Sequence, residues 1–158
     1  MKFICALMIV IAIAGFLFGV GQQLLSESKD AYIKKSLERY PSIAELNEAI
    51  KKDPSNVRNY ADRAFELALL NDNQGAVADF TVMIQLESDL APAYLGRGLA
   101  RWSLGARTEA MEDFNEAIRL SPNTALCYRI RASRRFDLGD FQGGLDDLVM
   151  AYKIGSAR

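Results

Sequence analysis

Two hydrophobic patterns divide the chain. Residues 3–20 form an uncharged apolar run, FICALMIVIAIAGFLFGV, whereas the apolar residues of the remaining chain recur at spacings of three and four. The second pattern places apolar side chains on one face of a helix. From residue 57 onward it predicts pairs of helices of about 14 residues, with a short turn inside each pair. The chain beyond the apolar run is therefore predicted to be all helical.

The helical pattern repeats every 34 residues without a gap. Residues 57–90, 91–124 and 125–158 align, so that tyrosine, small, leucine and aromatic positions fall into columns. The columns are Tyr60, Tyr94 and Tyr128; Ala64, Gly98 and Ala132; Leu70, Leu104 and Leu138; Ala76, Ala110 and Gly144; and Phe80, Phe114 and Leu148. Small residues in both helices of a unit allow the helices to approach closely. Because one such unit cannot bury its apolar face alone, neighbouring units must stack.

These columns resemble the tetratricopeptide repeat. Residues 91–124 carry the best match, with Tyr94, Gly98, Ala110, Phe114, Ala117 and Pro122. The resemblance implies an all-α fold of antiparallel helical hairpins, stacked as a short right-handed superhelix. Residues 41–52 fall in the same phase one period earlier and predict the second helix of a degenerate repeat. The first helix of that repeat is predicted over about residues 23–39.

The apolar run predicts one N-terminal transmembrane helix. As a helix, residues 3–20 span about 27 Å, close to the roughly 30 Å of a bilayer core. An uncleaved signal anchor and a cleaved signal peptide both remain open, and the length of the run favours the anchor. Gly15 and Gly19 form a GxxxG spacing that allows two membrane helices to pack closely, although glycine is common in such helices in any case.

The predicted organisation is therefore a single-pass membrane protein with membrane contact through residues 3–25. Its segments are the signal anchor or signal peptide (1–25), a juxtamembrane helix with the degenerate repeat (26–56), and three repeats (57–90, 91–124 and 125–158). Two signals disagree on the side of the membrane. Lys29, Lys34 and Lys35 favour a cytoplasmic repeat domain, whereas a Met-Lys start followed at once by an apolar core resembles a secretory signal. We predict an extracytoplasmic, periplasmic repeat domain.

Composition argues against an enzyme. The chain has no histidine, so neither a Ser–His–Asp nor a Cys–His set can form. No phosphate-binding loop and no metal-ligand spacing occurs in the sequence. The formal net charge of −1 does not indicate a nucleic-acid partner. We therefore expect no catalytic residues, no metal and no cofactor, and we expect protein partners instead.

Two charged columns recur with the repeat, and each arginine is followed by an aspartate 16 residues later. The pairs are Arg63 with Asp79, Arg97 with Asp113, and Arg131 with Asp147. Antiparallel helices joined by a short turn bring such positions face to face, which predicts one Arg–Asp bridge in each hairpin. The alternative is an anion-binding stripe of arginines. It would include Arg101, Arg129, Arg134 and Arg135, the last three of which have no regular acidic partner.

The family resemblance also implies a concave groove lined by the first helix of each hairpin. Its predicted lining is apolar and aromatic with one basic edge: Phe65, Leu69, Leu95, Leu99, Trp102, Arg129, Ile130 and Phe136. Such a surface suits an apolar peptide or an amphipathic helix. An open groove and a groove covered by residues 23–39 are equally consistent with the sequence. The family's carboxylate clamp for acidic chaperone tails is excluded, because Ala61, Phe65, Gly96, Leu126 and Ile130 occupy its places.

The last helix is predicted to present an uncapped apolar end, since such arrays usually finish with an extra polar helix. Its residues are Leu145, Leu148, Val149, Tyr152 and Ile154. This end predicts self-association or membership of a membrane complex.

The sequence leaves two functions open. One is a membrane-tethered adaptor or assembly factor that recruits a protein partner through the groove. The other is a permanent accessory subunit of a membrane protein complex, held by its anchor helix and its last repeat.

Overall fold

A computed structural model of the protein describes residues 41–156, and seven α-helices account for most of this range. They are α1 (Ile43–Lys52), α2 (Val57–Leu69), α3 (Asn73–Leu86), α4 (Ala91–Ser103), α5 (Arg107–Leu120), α6 (Ala125–Asp137) and α7 (Phe141–Ser156). The all-helical prediction is confirmed for this part of the chain. The predicted membrane helix with Gly15 and Gly19, and the predicted helix over residues 23–39, lie outside the described residues. Between residues 41 and 156, no helix has the length and apolar character needed to cross a bilayer.

The hairpins keep the 34-residue register of the sequence. The first helices α2, α4 and α6 begin at residues 57, 91 and 125, and the second helices α3, α5 and α7 begin at residues 73, 107 and 141. The turn inside each hairpin carries one residue in the left-handed region, namely Asn71 (φ 62°), Gly105 (φ 83°) or Gly139 (φ 80°). A left-handed residue directly after a helix ends that helix and redirects the chain. Each turn therefore starts the second helix at the same place.

Small residues set the distance between the two helices of a hairpin. A Cβ atom on Gly98 would lie 2.6 Å from Cε1 of Phe114, too close for any real contact. Phe114 is fully buried. Ala64 and Ala132 occupy the place of Gly98 in the other two hairpins, and both are fully buried as well. The packing is therefore close because the small column of the first helix receives the large column of the second.

Neighbouring hairpins stack through their second and first helices. Helix α3 packs against α4, and α5 packs against α6, while α1 packs against α2. Helix α1 begins at a capping box in which the Ser42 amide donates to Glu45 at 2.7 Å and the Glu45 amide donates to the Ser42 hydroxyl. These hydrogen bonds from Ser42 lower the pKa of the Glu45 carboxyl. Because the hairpins stack in this order, the first helices α2, α4 and α6 line one common groove, which is described next.

Candidate binding groove

An apolar pocket opens between the first helices of the three hairpins. It has a volume of about 370 Å³ and is lined by α2, α4, α6 and the loop that precedes α6. The lining residues are Phe65, Ala91, Pro92, Leu95, Gly96, Leu99, Ser121, Thr124, Leu126, Cys127 and Ile130. Only Ser121 and Thr124 bring hydroxyl groups, and no charged side chain lines the pocket. The site is therefore suited to hold an apolar group.

The shape of this pocket depends on Gly96 and on two aromatic rings. A Cβ atom on Gly96 would lie 2.3 Å from Cζ of Phe80, so the glycine makes room for that ring. Phe65 meets Phe80 edge to face, with ring centroids 5.7 Å apart. The Phe80 ring is buried, whereas Phe65 leaves 57% of its surface exposed at the rim of the pocket. Phe65 is thus a rigidly supported aromatic surface next to an apolar cavity.

Burial of Cys127 in the wall raises the pKa of its thiol. The side chain packs in a cluster with Ala117, Ile118 and Tyr128 behind the pocket. A thiol that is buried in apolar surroundings stays protonated and unreactive. Cys127 therefore acts as a small apolar wall residue.

The structure brings four of the eight predicted groove residues to the pocket: Phe65, Leu95, Leu99 and Ile130. Leu69 and Arg129 are exposed outside its lining. Phe136 packs on the backbone of Gly144, where a Cβ atom would lie 2.4 Å from its Cε1, and it contacts Phe141. The prediction omitted Leu126 and Cys127. The sequence signal for Leu126 is its place in the family's groove, where the carboxylate clamp would need a polar residue.

Trp102, the fourth groove residue outside the lining, is buried. Two guanidinium groups lie over its ring, with Cζ of Arg107 at 4.1 Å and Cζ of Arg134 at 5.2 Å from the ring centroid. Arg107 also donates from Nη1 to the carbonyl of Trp102 at 2.9 Å. Only 8% of Trp102 remains exposed. The indole is therefore a packing element that two cations cover, and it does not form part of the pocket wall.

Each repeated arginine forms a two-pronged pair with the buried aspartate of its own hairpin. Arg63 donates to Asp79 from Nε at 2.8 Å and from Nη2 at 2.7 Å, and Arg131 donates to Asp147 at 2.9 and 2.6 Å. Arg97 and Asp113 form the equivalent pair. The hydrogen bond with Asp79 raises the pKa of Arg63. These pairs hold the two helices of each hairpin together.

The same arginines also reach back to the preceding hairpin. Arg63 donates from Nη1 to Oδ1 of Asn47 at 2.7 Å, and Arg131 donates to Oδ1 of Asn115 at the same distance. Arg97 reaches Oγ1 of Thr81 at 3.5 Å. The sequence interpretation missed these acceptors. The signal was present, because Asn47, Thr81 and Asn115 are polar and 34 residues apart.

Additional arginines join two of the buried aspartates. Arg101 donates to Asp113 at 2.8 Å, and Arg135 lies 3.2 Å from Asp147 and 3.5 Å from Asp140. Arg134 pairs with Asp137 at 3.0 Å. Among the residues of the proposed anion stripe, only Arg129 has no acidic partner within residues 41–156. Most arginines of the proposed anion stripe thus form ion pairs within the protein.

The last helix has one buried and one exposed face. Gly144, Asp147 and Ala151 face α6 and are buried. Four of the five residues predicted for the uncapped end are exposed, namely Leu145, Leu148, Val149 and Tyr152. Ile154 instead packs against the cluster around Cys127 and Tyr128. A substantial apolar surface therefore lies on the outer side of α7.

Comparisons with known proteins agree with this architecture. A family model described as tetratricopeptide repeat matches residues 91–124. A comparison with curated proteins finds no match. A crystal structure of MamA is 19% identical over 73% of this chain and 67% of that chain, with a TM-score of 0.69. MamA from Desulfovibrio magneticus RS-1 is 13% identical over 73% and 66%, with a TM-score of 0.69.

A further MamA structure, from MSR-1, is 20% identical over 80% of this chain and 72% of that chain, with a TM-score of 0.65. Identities at this level show a common fold and no more. The repeat match and the common fold confirm the resemblance that the sequence columns indicated. Residues 91–124 therefore match the tetratricopeptide repeat, and the chain shares the helical-repeat fold of MamA.

Proposed function

We propose that this chain is a membrane-tethered adaptor or assembly factor that binds an apolar peptide, or the apolar face of an amphipathic helix, in its groove. The proposal rests on one observation, the apolar pocket between α2, α4 and α6. In this proposal the hairpins form a short right-handed superhelix with their first helices on the concave side. The chain binds and places another protein and catalyses no reaction.

The dimensions of the pocket support this class of partner. Its volume of about 370 Å³ lies at the lower end of the roughly 300–1,000 Å³ of small binding sites. That space holds one or two large apolar side chains of a partner. Phe65 and Leu126 are exposed at its edges and extend the apolar surface. Affinity would come from burial, at about 25 cal/mol for each Å² of apolar surface removed from water.

Charge next to the pocket adds a preference. Arg129 lies on α6 between Leu126 and Ile130 in sequence and is exposed. An acidic residue beside the apolar anchor of the partner would meet this guanidinium group. We therefore expect partner segments that combine a bulky apolar residue with a nearby aspartate or glutamate. The ionic contact would contribute less than the apolar burial, since exposed pairs are worth about 0.2–1 kcal/mol.

Photocrosslinking from the intact membrane tests the groove. A photoreactive phenylalanine analogue replaces Phe65 in the full chain, and the same analogue replaces Leu138 in a control. Leu138 is an exposed apolar residue in the turn between α6 and α7, outside the pocket lining. We expect a defined crosslinked partner from position 65 and none from position 138. Leu126→Asp in the position-65 chain should abolish the crosslink. The proposal fails if both positions capture the same proteins or if Leu126→Asp has no effect.

Tethering is supported by the apolar run of residues 3–20 and by its match to the thickness of a bilayer. The extracytoplasmic position of the repeats is part of the proposal. Protease added to intact cells whose outer envelope has been opened should digest the repeat domain. Digestion only after lysis of the inner membrane would place the domain on the cytoplasmic side instead.

A second candidate is a permanent accessory subunit of a membrane protein complex. The exposed apolar face of α7 favours it, because such a surface normally has a partner. Partner capture with and without residues 1–25 distinguishes the two functions. An adaptor retains its partner when these residues are removed. A subunit held by its anchor loses the complex.

A further inference from the structure

The outer face of α7 carries five exposed apolar residues in one stripe. Their spacing of four, three, one and three residues places them within about 100° of the helix circumference. They are Phe141, Leu145, Leu148, Val149 and Tyr152, and Tyr152 alone leaves 77% of its surface exposed. The stripe lies beside the buried face of Gly144, Asp147 and Ala151. Helix α7 therefore has a buried face and an adjoining exposed apolar face, and its own repeat covers only the first.

The positions equivalent to Leu148 and Tyr152 are buried in the preceding second helix. Leu148 corresponds to Phe114 and Phe80, one and two periods earlier, and both phenylalanines are buried. Tyr152 corresponds to Ile118, which is also buried. In α3 and α5 this face receives the next hairpin. The stripe on α7 thus has the position of an interior interface.

One position departs from the pattern of the interior interfaces. Asn47, Thr81 and Asn115 each accept a hydrogen bond from the arginine of the following hairpin. Val149 stands at the corresponding place in α7 and offers no acceptor. The same arginine in a further hairpin would find no hydrogen-bond acceptor at this place. The face is therefore suited to an apolar helix and not to another repeat of this kind.

Charges at the edge of the stripe favour one orientation of that helix. Asp146 and Lys153 lie on the same flank of α7, next to Val149 and two turns apart. When two copies of a helix pack antiparallel about a two-fold axis, the same flank of each copy meets the other. Asp146 then faces Lys153 of the second copy, and the pair occurs twice. A parallel arrangement does not bring these flanks together.

We propose that α7 packs against α7 of a second copy of this chain, antiparallel and two-fold symmetric. The axis passes between Leu148 and Val149. Leu145 then lies opposite Tyr152 of the second copy, so the tyrosine ring of each copy packs against a leucine of the other. The antiparallel arrangement also places the positive end of each helix dipole beside the negative end of the other.

The size of the contact sets the strength to expect. The stripe exposes on the order of 600 Å² per copy, somewhat below the roughly 800 Å² per partner of a standard stable complex. We therefore expect a reversible dimer with a dissociation constant in the micromolar range. This self-association is independent of the proposed groove function, because none of the stripe residues lines the pocket.

Cysteine crosslinking in the full chain, purified in detergent, tests the geometry. Cys5→Ser and Cys127→Ser provide the background, and single cysteines replace Leu145, Val149 or Tyr152. Val149→Cys should crosslink to itself, since both copies lie next to the axis. Tyr152→Cys should not, because the two positions lie about 10 Å apart along the helices, beyond the reach of a disulfide. A mixture of the Leu145→Cys and Tyr152→Cys chains should crosslink with each other. Equal self-crosslinking at all three positions, or none at any, overturns the proposal.

Charge and burial provide the second test, by sedimentation of the full chain in detergent. Val149→Asp should raise the dimer dissociation constant at least tenfold. Leu104→Asp is the matched control, because Leu104 is 50% exposed and Val149 is 51% exposed, yet Leu104 lies outside the stripe. Asp146→Lys should weaken the dimer, and Asp146→Lys combined with Lys153→Asp should restore it. Thermal melts by circular dichroism verify that each variant folds. Dimerisation that Val149→Asp leaves unchanged, as a contact elsewhere would give, overturns the proposal, and so does a monomer at all concentrations.

Discussion

Arg97 donates to the buried carboxylate of Asp113 across the α4–α5 hairpin, at 2.8 Å from Nη2 and 3.1 Å from Nε. Asp113 also receives Arg101 at 2.8 Å. In the first hairpin, Asp79 receives Arg63 as its only cation within the part of the chain that the structure describes. The same Arg–Asp column thus has a second arginine in the second and third hairpins and none in the first.

This difference predicts unequal losses of stability. Arg63→Met should lower the free energy of unfolding by about 3 kcal/mol or more, because it leaves a buried carboxylate without a cation. Arg97→Met should cost less, about 1–2 kcal/mol, because Arg101 still neutralises Asp113. Urea denaturation of the full chain, followed by helical circular dichroism, measures both values.

The surface variant Lys51→Met is the control for this pair. Lys51 pairs with Glu48 on the surface, where each side chain is 72% exposed, so its loss should cost no more than about 1 kcal/mol. Equal losses for Arg63→Met and Arg97→Met would show that Arg101 does not compensate. Losses no larger than that of Lys51→Met would show that the buried pairs add nothing to stability.

Two glycines allow backbone conformation to be separated from packing. A Cβ atom on Gly105 or on Gly155 would meet no atom within 4 Å, but only Gly105 has a positive φ, of 83°. Gly105→Ala should therefore destabilise the protein by about 1–2 kcal/mol through backbone strain alone. Gly155→Ala, in α7, should stabilise it by up to about 1 kcal/mol through helix propensity. Thermal melts that shift in the same direction for both variants would contradict this account of the turn.

Burial of Cys127 predicts slow alkylation and a specific pH dependence. In a Cys5→Ser background, iodoacetamide should modify the folded chain at least about tenfold more slowly than the urea-unfolded chain. Because burial raises the pKa of this thiol, the folded state keeps its proton at a pH where the unfolded thiol has lost it. The stability contribution is therefore complete below the unfolded pKa and falls as pH rises from that value toward the folded one.

A Cys127→Ala variant is the comparison for this pH dependence. Unfolding free energies of the two chains should run parallel at neutral pH and converge above about pH 9, where the unfolded thiol ionises. A constant difference up to pH 11 would mean that burial has no effect on this thiol. Rapid alkylation of the folded chain would mean that the pocket wall opens readily.

Trp102 is the only tryptophan of the chain, so its fluorescence reports on one site. Quenching by acrylamide should be weak in the folded protein, because Arg107 and Arg134 cover the ring. Arg107→Ala should raise the Stern–Volmer constant about two- to threefold, since it uncovers one face of the indole. Arg129→Ala, which removes an exposed arginine away from the ring, should leave the constant unchanged. The same increase in both variants would contradict the observed stacking.

Local periodicity was enough to determine the order of the helices, their 34-residue register and the turns at Asn71, Gly105 and Gly139. The same spacing placed Arg63 opposite Asp79, because two helices joined by a short turn meet in only one register. These features depend on neighbours in sequence, and the helical period relates them directly to residue number.

Only the tertiary structure decided which residues of different hairpins meet. Leu126 and Cys127 reach the pocket because α6 lies beside α4, whereas Trp102 is covered because Arg107 and Arg134 approach it from two other helices. The second arginine on Asp113 and the reach of Arg131 to Asn115 likewise depend on side-chain positions in space. Sequence spacing predicts contacts inside a hairpin, but the angle and distance between hairpins follow from the packing of the whole stack.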